Sequence, residues 1–259
     1  MAECLEKTQL LNSAIVFAPH QDDETLGCGG TIIQKVVAGA RVHLCFITDG
    51  RRSHRHLMAE NELKKIRNKE AMLAAAKLGI RREHVHFLNL KSGELRSQMQ
   101  KAIPRLKRIL SAVKPQQIYV PYRNDSHLEH KLSYRLIVSA SEDLSRRMDI
   151  YEYPVWYWHH WPWVSLEGNS VKERARQMKH GLAASAMIVK HFRTSVYIKN
   201  LHDRKHAALA EYKSQTTRLN HDANWPTLSD VAGGQWLNCF FQEREIFMHT
   251  TANSTSFSK

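Results

Sequence analysis

The chain has 259 residues, 42% apolar and 24% charged, with 38 Lys and Arg against 25 Asp and Glu for a formal net charge of +13. That length and balance suit one large α/β domain or two small ones. No run of about 18 apolar residues occurs, which argues against a membrane span. The acidic start, without a small-residue cleavage site, argues against a signal peptide, so a cytoplasmic protein is expected.

Four cysteines, Cys4, Cys28, Cys45 and Cys239, have no CxxC spacing and read as reduced thiols rather than a disulfide framework or a thiolate metal site. The positive charge would attract nucleic acid, anionic headgroups or an acidic substrate. The runs KKIRNK (64–69) and PRLKR (104–108) read as solvated helix faces, whereas RRSHRH (51–56) directly follows a predicted strand. Nucleic acid is not expected, since no basic–aromatic interleaving lies on a predicted sheet face.

In chain order, SAIVFA (13–18) reads as a buried strand followed by a helix to about Val37. ARVHLCFIT (40–48) is a second strand, and Leu57 to Leu78 carries helical periodicity ending at Gly79 as a C-cap. HVHFLNL (84–90) is a third strand and 95–113 a helix; QQIYVPY (116–122) is a fourth strand and 129–147 a helix. Beyond residue 148 the pattern loosens, with expected strands at 149–158 and 194–200 and a helix over 201–213. This alternation predicts an α/β fold, a Rossmann-like, mostly parallel sheet with helices on both faces. One domain over 1–259 is expected, with 150–195 a variable portion contacting substrate or partner.

Ligands of such sheets bind beyond the carboxyl ends of the strands. There the first strand runs into PHQDDE, the second into TDGRRSHRH and the fourth into PYRNDSHLEH, so the unusual polar residues gather on one edge. Three adjacent carboxylates, Asp22, Asp23 and Glu24, repel one another unless something positive holds them. His20 and Asp23 are one helical turn apart, as are His127 and His130. A set of His20, Asp23 and His130 supplies two imidazoles and a carboxylate with positions left open, the pattern of catalytic zinc. Two histidines and a carboxylate also describe non-haem iron oxygenases.

PHQDDETLGCGG, with ITDG after the second strand and NDSHLEH after the fourth, resembles the PIG-L/LmbE-like family of metal-dependent de-N-acetylases. RNKEAMLAAAKLGI (67–80) and KHAALAEYKSQ (205–215) extend the resemblance, whereas 150–195 carries none of it. It implies a zinc-dependent N-deacetylase acting on an amino sugar in a glycan or glycoconjugate, with His20, Asp23 and His130 as ligands of Zn2+, and Fe2+ as another divalent candidate. It further implies Asp22 as general base and His127 as electrophile or general acid. Gln21 stands where the family usually has Pro, and Glu129 where it has Asp; Glu129 is counted in the catalytic set as the group expected to orient His127.

The residues fit that chemistry: a zinc-bound water loses its proton readily, and a nearby carboxylate can take it. LGCGG lacks the GxGxxG spacing and reads as tight helix packing rather than a phosphate cradle. Glu24 is assigned to hydrogen bonds with the local backbone. Arg51, Arg52, Arg67, Asn124 and Asp125 are the expected substrate contacts of the active edge. Trp158 and Trp161, in VWYWHHWPWV (155–164), join them as sugar-stacking groups, against the alternatives of packing, membrane-surface contact or oligomer contact. The rival to an enzyme is a glycan-binding module whose metal only orders a loop.

Overall fold

A computed structural model of the chain describes residues 3–142, 148–168 and 170–252. Strands β1 (Glu3–Cys4), β2 (Ala14–Ala18), β3 (Val42–Thr48), β4 (Val85–Leu90), β5 (Gln117–Pro121), β6 (Met148–Tyr153), β7 (Thr194–Tyr197) and β8 (Arg244–Ala252) form one sheet in the order β1-β7-β8-β6-β5-β2-β3-β4. Pairing is parallel except where β8 runs antiparallel to both β6 and β7. The helices are α1 (Lys7–Leu10), α2 (Asp23–Val37), α3 (Glu60–Leu78), α4 (Leu95–Val113), α5 (Leu128–Ser141), α6 (Val171–His191), α7 (His202–Leu209), α8 (Lys213–Thr216) and α9 (Gln235–Asn238).

Alternation along β2 builds both layers at once. Ala14, Val16 and Ala18 pack with α2, α3 and α7, while Ile15 and Phe17 pack with α4 and α5. Helices on both faces explain why β2, β3 and β5 are buried along their whole length. The chain leaves β2 for β3 and β4 on one side and returns to β5 on the other, so the sheet changes direction between β2 and β5. That switch point is where ligands bind in sheets of this class.

The expected α/β architecture is therefore present, with corrections in the second half. The strand read over 149–158 ends at Tyr153, because Pro154 has no N–H to continue the ladder, and Trp156–Trp158 is a short 3-10 turn. The strand read over 194–200 ends at Tyr197, and the helix over 201–213 divides into α7 and α8. The helix over 129–147 begins at Leu128 and ends at Ser141; its last expected residues, 143–147, lie outside the described residues. Helix α6 and strands β1 and β8 have no counterpart in the expectation. No helix among the described residues is long and apolar enough to cross a membrane.

The glycine run of α2 serves packing, as read from its sequence. A Cβ on Gly27 would lie 2.2 Å from the Tyr153 ring, and one on Gly30 2.3 Å from Ile198 Cγ2. Tyr153 is fixed in turn, its hydroxyl donating to the Phe17 carbonyl at 2.6 Å. Along the same helix, buried Lys205 donates from Nζ to the Leu26 and Phe240 carbonyls and to Glu245 Oε1, at 2.7–2.8 Å. Glu245 accepts from the Gly30 and Thr31 amides. The pair is thus fully hydrogen-bonded, the condition under which a buried ion pair is tolerated. Both contacts anchor the helix whose first turn carries Asp22 and Asp23.

Gly27→Ala gains up to ~1 kcal/mol of helix propensity but forces a methyl into the tethered Tyr153 ring. Overpacking of that kind costs ~1–3 kcal/mol or more, so a net loss of stability is expected. Chemical denaturation checks it: a midpoint equal to or above the wild-type value would show that the helix can move away.

Candidate active site

The turn between β2 and α2 is strained. Asp22 has φ 139° and ψ −30°, a backbone conformation that side chains other than glycine rarely adopt. Such strain persists only where its surroundings over-determine it. Here Arg67 Nη2 donates to the Gln21 carbonyl at 2.6 Å and to Asp22 Oδ2 at 3.3 Å, from the middle of α3. Gln21 Nε2 donates to the Thr48 carbonyl at 3.0 Å, and the Asp22 amide to Glu24 Oε2 at 3.2 Å. Glu24 also accepts from the Tyr212 hydroxyl at 2.6 Å, adding a distant partner to the local one expected of it. Gly50 gives Arg67 its room, since a Cβ there would lie 2.8 Å from the Arg67 side chain.

Across the switch point, the start of α5 brings in the second motif. The rings of His20, His127 and His130 form a near-equilateral triangle, with centroids 5.1, 5.4 and 5.1 Å apart. One nitrogen from each lies within 4.8 Å of the others, as metal ligands do. Asp23 Oδ2 sits 3.2 Å from both His20 Nδ1 and His130 Nε2, and accepts the His20 amide at 2.8 Å. The second turn is braced by buried Asp125, which accepts from the His127 and Val155 amides at 3.0 and 2.9 Å.

Four residues thus converge: the three expected ligands, His20, Asp23 and His130, and beside them His127. His127 Nδ1 and both ring nitrogens of His130 are buried without an aligned hydrogen bond among the described residues. Unsatisfied buried imidazole nitrogens beside a shared carboxylate are what a divalent cation would satisfy, so the donor set fits one.

The electrostatics follow from burial working against charge. Burial lowers the His20 pKa, but hydrogen bonds and charge from Asp23 and Glu129 overcome it and raise it to about 9. Burial likewise opposes His130, which Asp23 and Asp125 raise to about 10. Burial raises Asp23, yet both histidines together hold it far below the usual carboxylate range. In Asp22, burial dominates and Arg67 only partly offsets it, leaving a pKa of about 7. Burial, then the charges of His20 and His130, push His127 down to about 4.

Glu129 does not act on His127 as the sequence suggested. Its longer side chain reaches past that ring, accepting from the Gly93 amide at 2.7 Å and Ser92 Oγ at 3.1 Å and bonding His20 Nε2 at 2.8 Å.

A cavity of about 490 Å³ opens on this constellation. Asp22, Asp23, His20, His127 and Glu129 line its floor, Arg52, Arg55 and Arg67 its basic side, and Leu26, Trp156, Leu228 and Trp236 its apolar wall. The expected substrate contacts divide. Arg52 and Arg67 line the cavity, Arg67 with its guanidinium committed to the Asp22 turn. Arg51 is paired to Asp49 at 2.6 Å and lies outside the lining. Asp125 is fully buried behind the histidines, and Asn124, Trp158 and Trp161 open onto other cavities. The aromatic wall comes instead from Trp156, two residues before Trp158, stacked at 4.7 Å on Trp236. Ser92 and Gly93 follow β4, where the same strand-end rule would have found them. Trp236 carries no local signal that would have marked it.

A family model described as PIG-L, GlcNAc-PI de-N-acetylase, matches residues 15–141. Among solved structures, N,N'-diacetylchitobiose deacetylase from Pyrococcus horikoshii is 19% identical over 95% of this chain and 86% of its own, with a TM-score of 0.65. A deacetylase of the teicoplanin biosynthetic pathway, solved as a triple mutant, is 15% identical over 93% of this chain and 99% of its own, with a TM-score of 0.62. GalB, the 4-carboxy-2-hydroxymuconate hydratase from Pseudomonas putida, is 20% identical over 79% of this chain and 80% of its own, at 0.58. At these identities the likeness establishes the fold, one that hosts more than one reaction.

Arg67 lowers the Asp22 pKa against burial, so Arg67→Met is expected to raise it further. In protein stripped of metal, the Asp22 carboxyl followed by carbon-13 NMR should then titrate at higher pH than in wild type. An unchanged or lower midpoint would show that the guanidinium does not act on it.

Proposed function

Through residues 15–141 the chain belongs to the PIG-L family, and on that premise we propose that it is a zinc-dependent hydrolase removing the N-acetyl group of an amino sugar within a larger glycan or glycoconjugate. The observation carrying this reading is that Asp23 Oδ2 stands 3.2 Å from both His20 Nδ1 and His130 Nε2, with the His127 imidazole beside them, on the floor that Asp22 also lines. A mixed nitrogen–oxygen donor set of this kind suits zinc. His20, Asp23 and His130 would hold the cation, which supplies Lewis acidity for the amide carbonyl and for a water molecule.

The chain's own groups then divide the proton work. Asp22, a buried carboxylate on the cavity floor, is placed to accept the proton of the attacking water. His127, held neutral, donates a ring N–H to the oxyanion that forms as the carbonyl is attacked. Asp22 returns its proton to the nitrogen as the C–N bond breaks, leaving acetate and a free amine. Arg67 keeps the carboxylate aimed into the cavity through both transfers. The indole faces of Trp156 and Trp236 suit a sugar ring, and Arg52 and Arg55 suit an anionic group further along the substrate.

Retention of Asp22 in a strained turn favours turnover over a binding module, because ligation alone does not require that side chain. Asp22→Asn tests the assignment, since Asn keeps the size of Asp and an oxygen that can accept from Arg67. Metal content should be unchanged while acetate release from N-acetylated sugars falls by about 100-fold or more, the scale of general-base catalysis. Acetate release at the wild-type rate would remove Asp22 from the mechanism.

A further inference from the structure

Helix α6, from the portion of the chain that carries none of the family resemblance, packs on the molecule by a narrow seam. Only Gly181 and Ala184 are buried in it. The seam is close: a Cβ on Gly181 would lie 2.0 Å from the Trp161 carbonyl oxygen.

Its sequence nevertheless carries an apolar stripe elsewhere. Val171, Ala175, Met178, Leu182 and Val189 follow one another at steps of four, three, four and seven residues, the spacing that keeps one face of a helix apolar. That face is turned to solvent: Val171 is 84% exposed, Val189 70%, Leu182 59% and Met178 39%. About 100° around the helix from it stand Lys172, Lys179 and Lys190. None of the three makes an ion pair among the described residues, and Glu173 is the helix's one acidic residue.

A second feature lies beside it. Between α6 and the segment that leads into the active-site histidines is a cavity of about 410 Å³, lined by Asn124, Ser126, Lys131, His160, Lys179 and His180 among others, with no carboxylate in its lining.

We propose that this side of α6 docks the protein on an anionic phospholipid surface, with the neighbouring basic cavity receiving a headgroup phosphate. A helix with an exposed apolar stripe flanked by lysines is the form that lies in a bilayer interface, apolar side down and cations at headgroup level. A second copy fits the face less well, since stripe-to-stripe pairing brings like-charged flanks together. Docked in this way, Asn124 and Ser126 of the cavity lining stand beside the headgroup layer, next in the chain to His127. The proposal stands independently of the deacetylase reading, because it concerns binding alone.

Cosedimentation with vesicles of phosphatidylcholine, and of phosphatidylcholine mixed with phosphatidylserine, provides the test. Binding to the mixed vesicles is expected, weakening as salt is raised. Leu182→Gln with Val189→Gln, and separately Lys172→Gln with Lys179→Gln, should each reduce it by ~10-fold or more. Both variants alter exposed side chains, so their circular dichroism and melting should match wild type. Failure to bind the mixed vesicles, equal binding to neutral ones, or indifference to the stripe substitutions would overturn the proposal. So would a dimer in sedimentation equilibrium that the stripe substitutions dissolve, which would make a second copy the occupant. Competition by inorganic phosphate without any effect of the stripe substitutions would reduce the cavity to a free-phosphate site.

Discussion

One carboxylate oxygen, Asp23 Oδ2, is shared between His20 and His130 at 3.2 Å from each, and the active edge is organised around that arrangement. Burying charge is expensive, and a lone carboxylate at this depth would take up a proton instead. Two imidazoles from opposite sides of the switch point prevent that, and each is held by a further acid, Glu129 for His20 and Asp125 for His130. The consequence reaches Asp22 next door. Among the described residues its one cationic partner in direct contact is Arg67, so burial prevails and its pKa rises toward neutrality. Adjacent aspartates are thus pushed in opposite directions, one far below the usual carboxylate range and one up toward neutrality.

The surrounding structure serves this division. Arg67 reaches the turn from the middle of α3, and the Lys205–Glu245 pair fixes α2 one turn further along. Raised pKa values at His20 and His130 also mean that a cation must displace protons to bind. Affinity for it therefore falls as the pH drops through about 10 and 9, where these two imidazoles take up protons in the metal-free protein.

What could be read from the sequence follows physical locality. Strand–helix alternation with buried apolar runs specified β2 through α5, and the polar residues at the strand ends pointed to the sheet edge where the candidate site gathers. The two one-turn spacings gave His20, Asp23, His127 and His130, because a helical turn fixes distance. Other features depended on contacts between segments far apart in the chain. Glu129 turns to His20 rather than to its sequence neighbour because side-chain length and the Ser92–Gly93 loop decide its direction. The aromatic wall required Trp156 and Trp236, 80 positions apart in the numbering, to meet through the folded C-terminal segment. Helix α6 does carry helical periodicity, but that pattern would have turned the wrong face to the core, because its apolar stripe faces outward and its buried positions are Gly and Ala.

The proposed reaction needs a divalent cation at this buried edge to hydrolyse an N-acetyl group. Acetate released from an N-acetylated chitooligosaccharide, measured before chelation, after complete metal removal and after zinc is restored, tests it most directly. Release should be present, then lost, then recovered, with the protein folded throughout. Undiminished release from fully stripped protein, or none from any N-acetylated sugar at full metal occupancy, would contradict it.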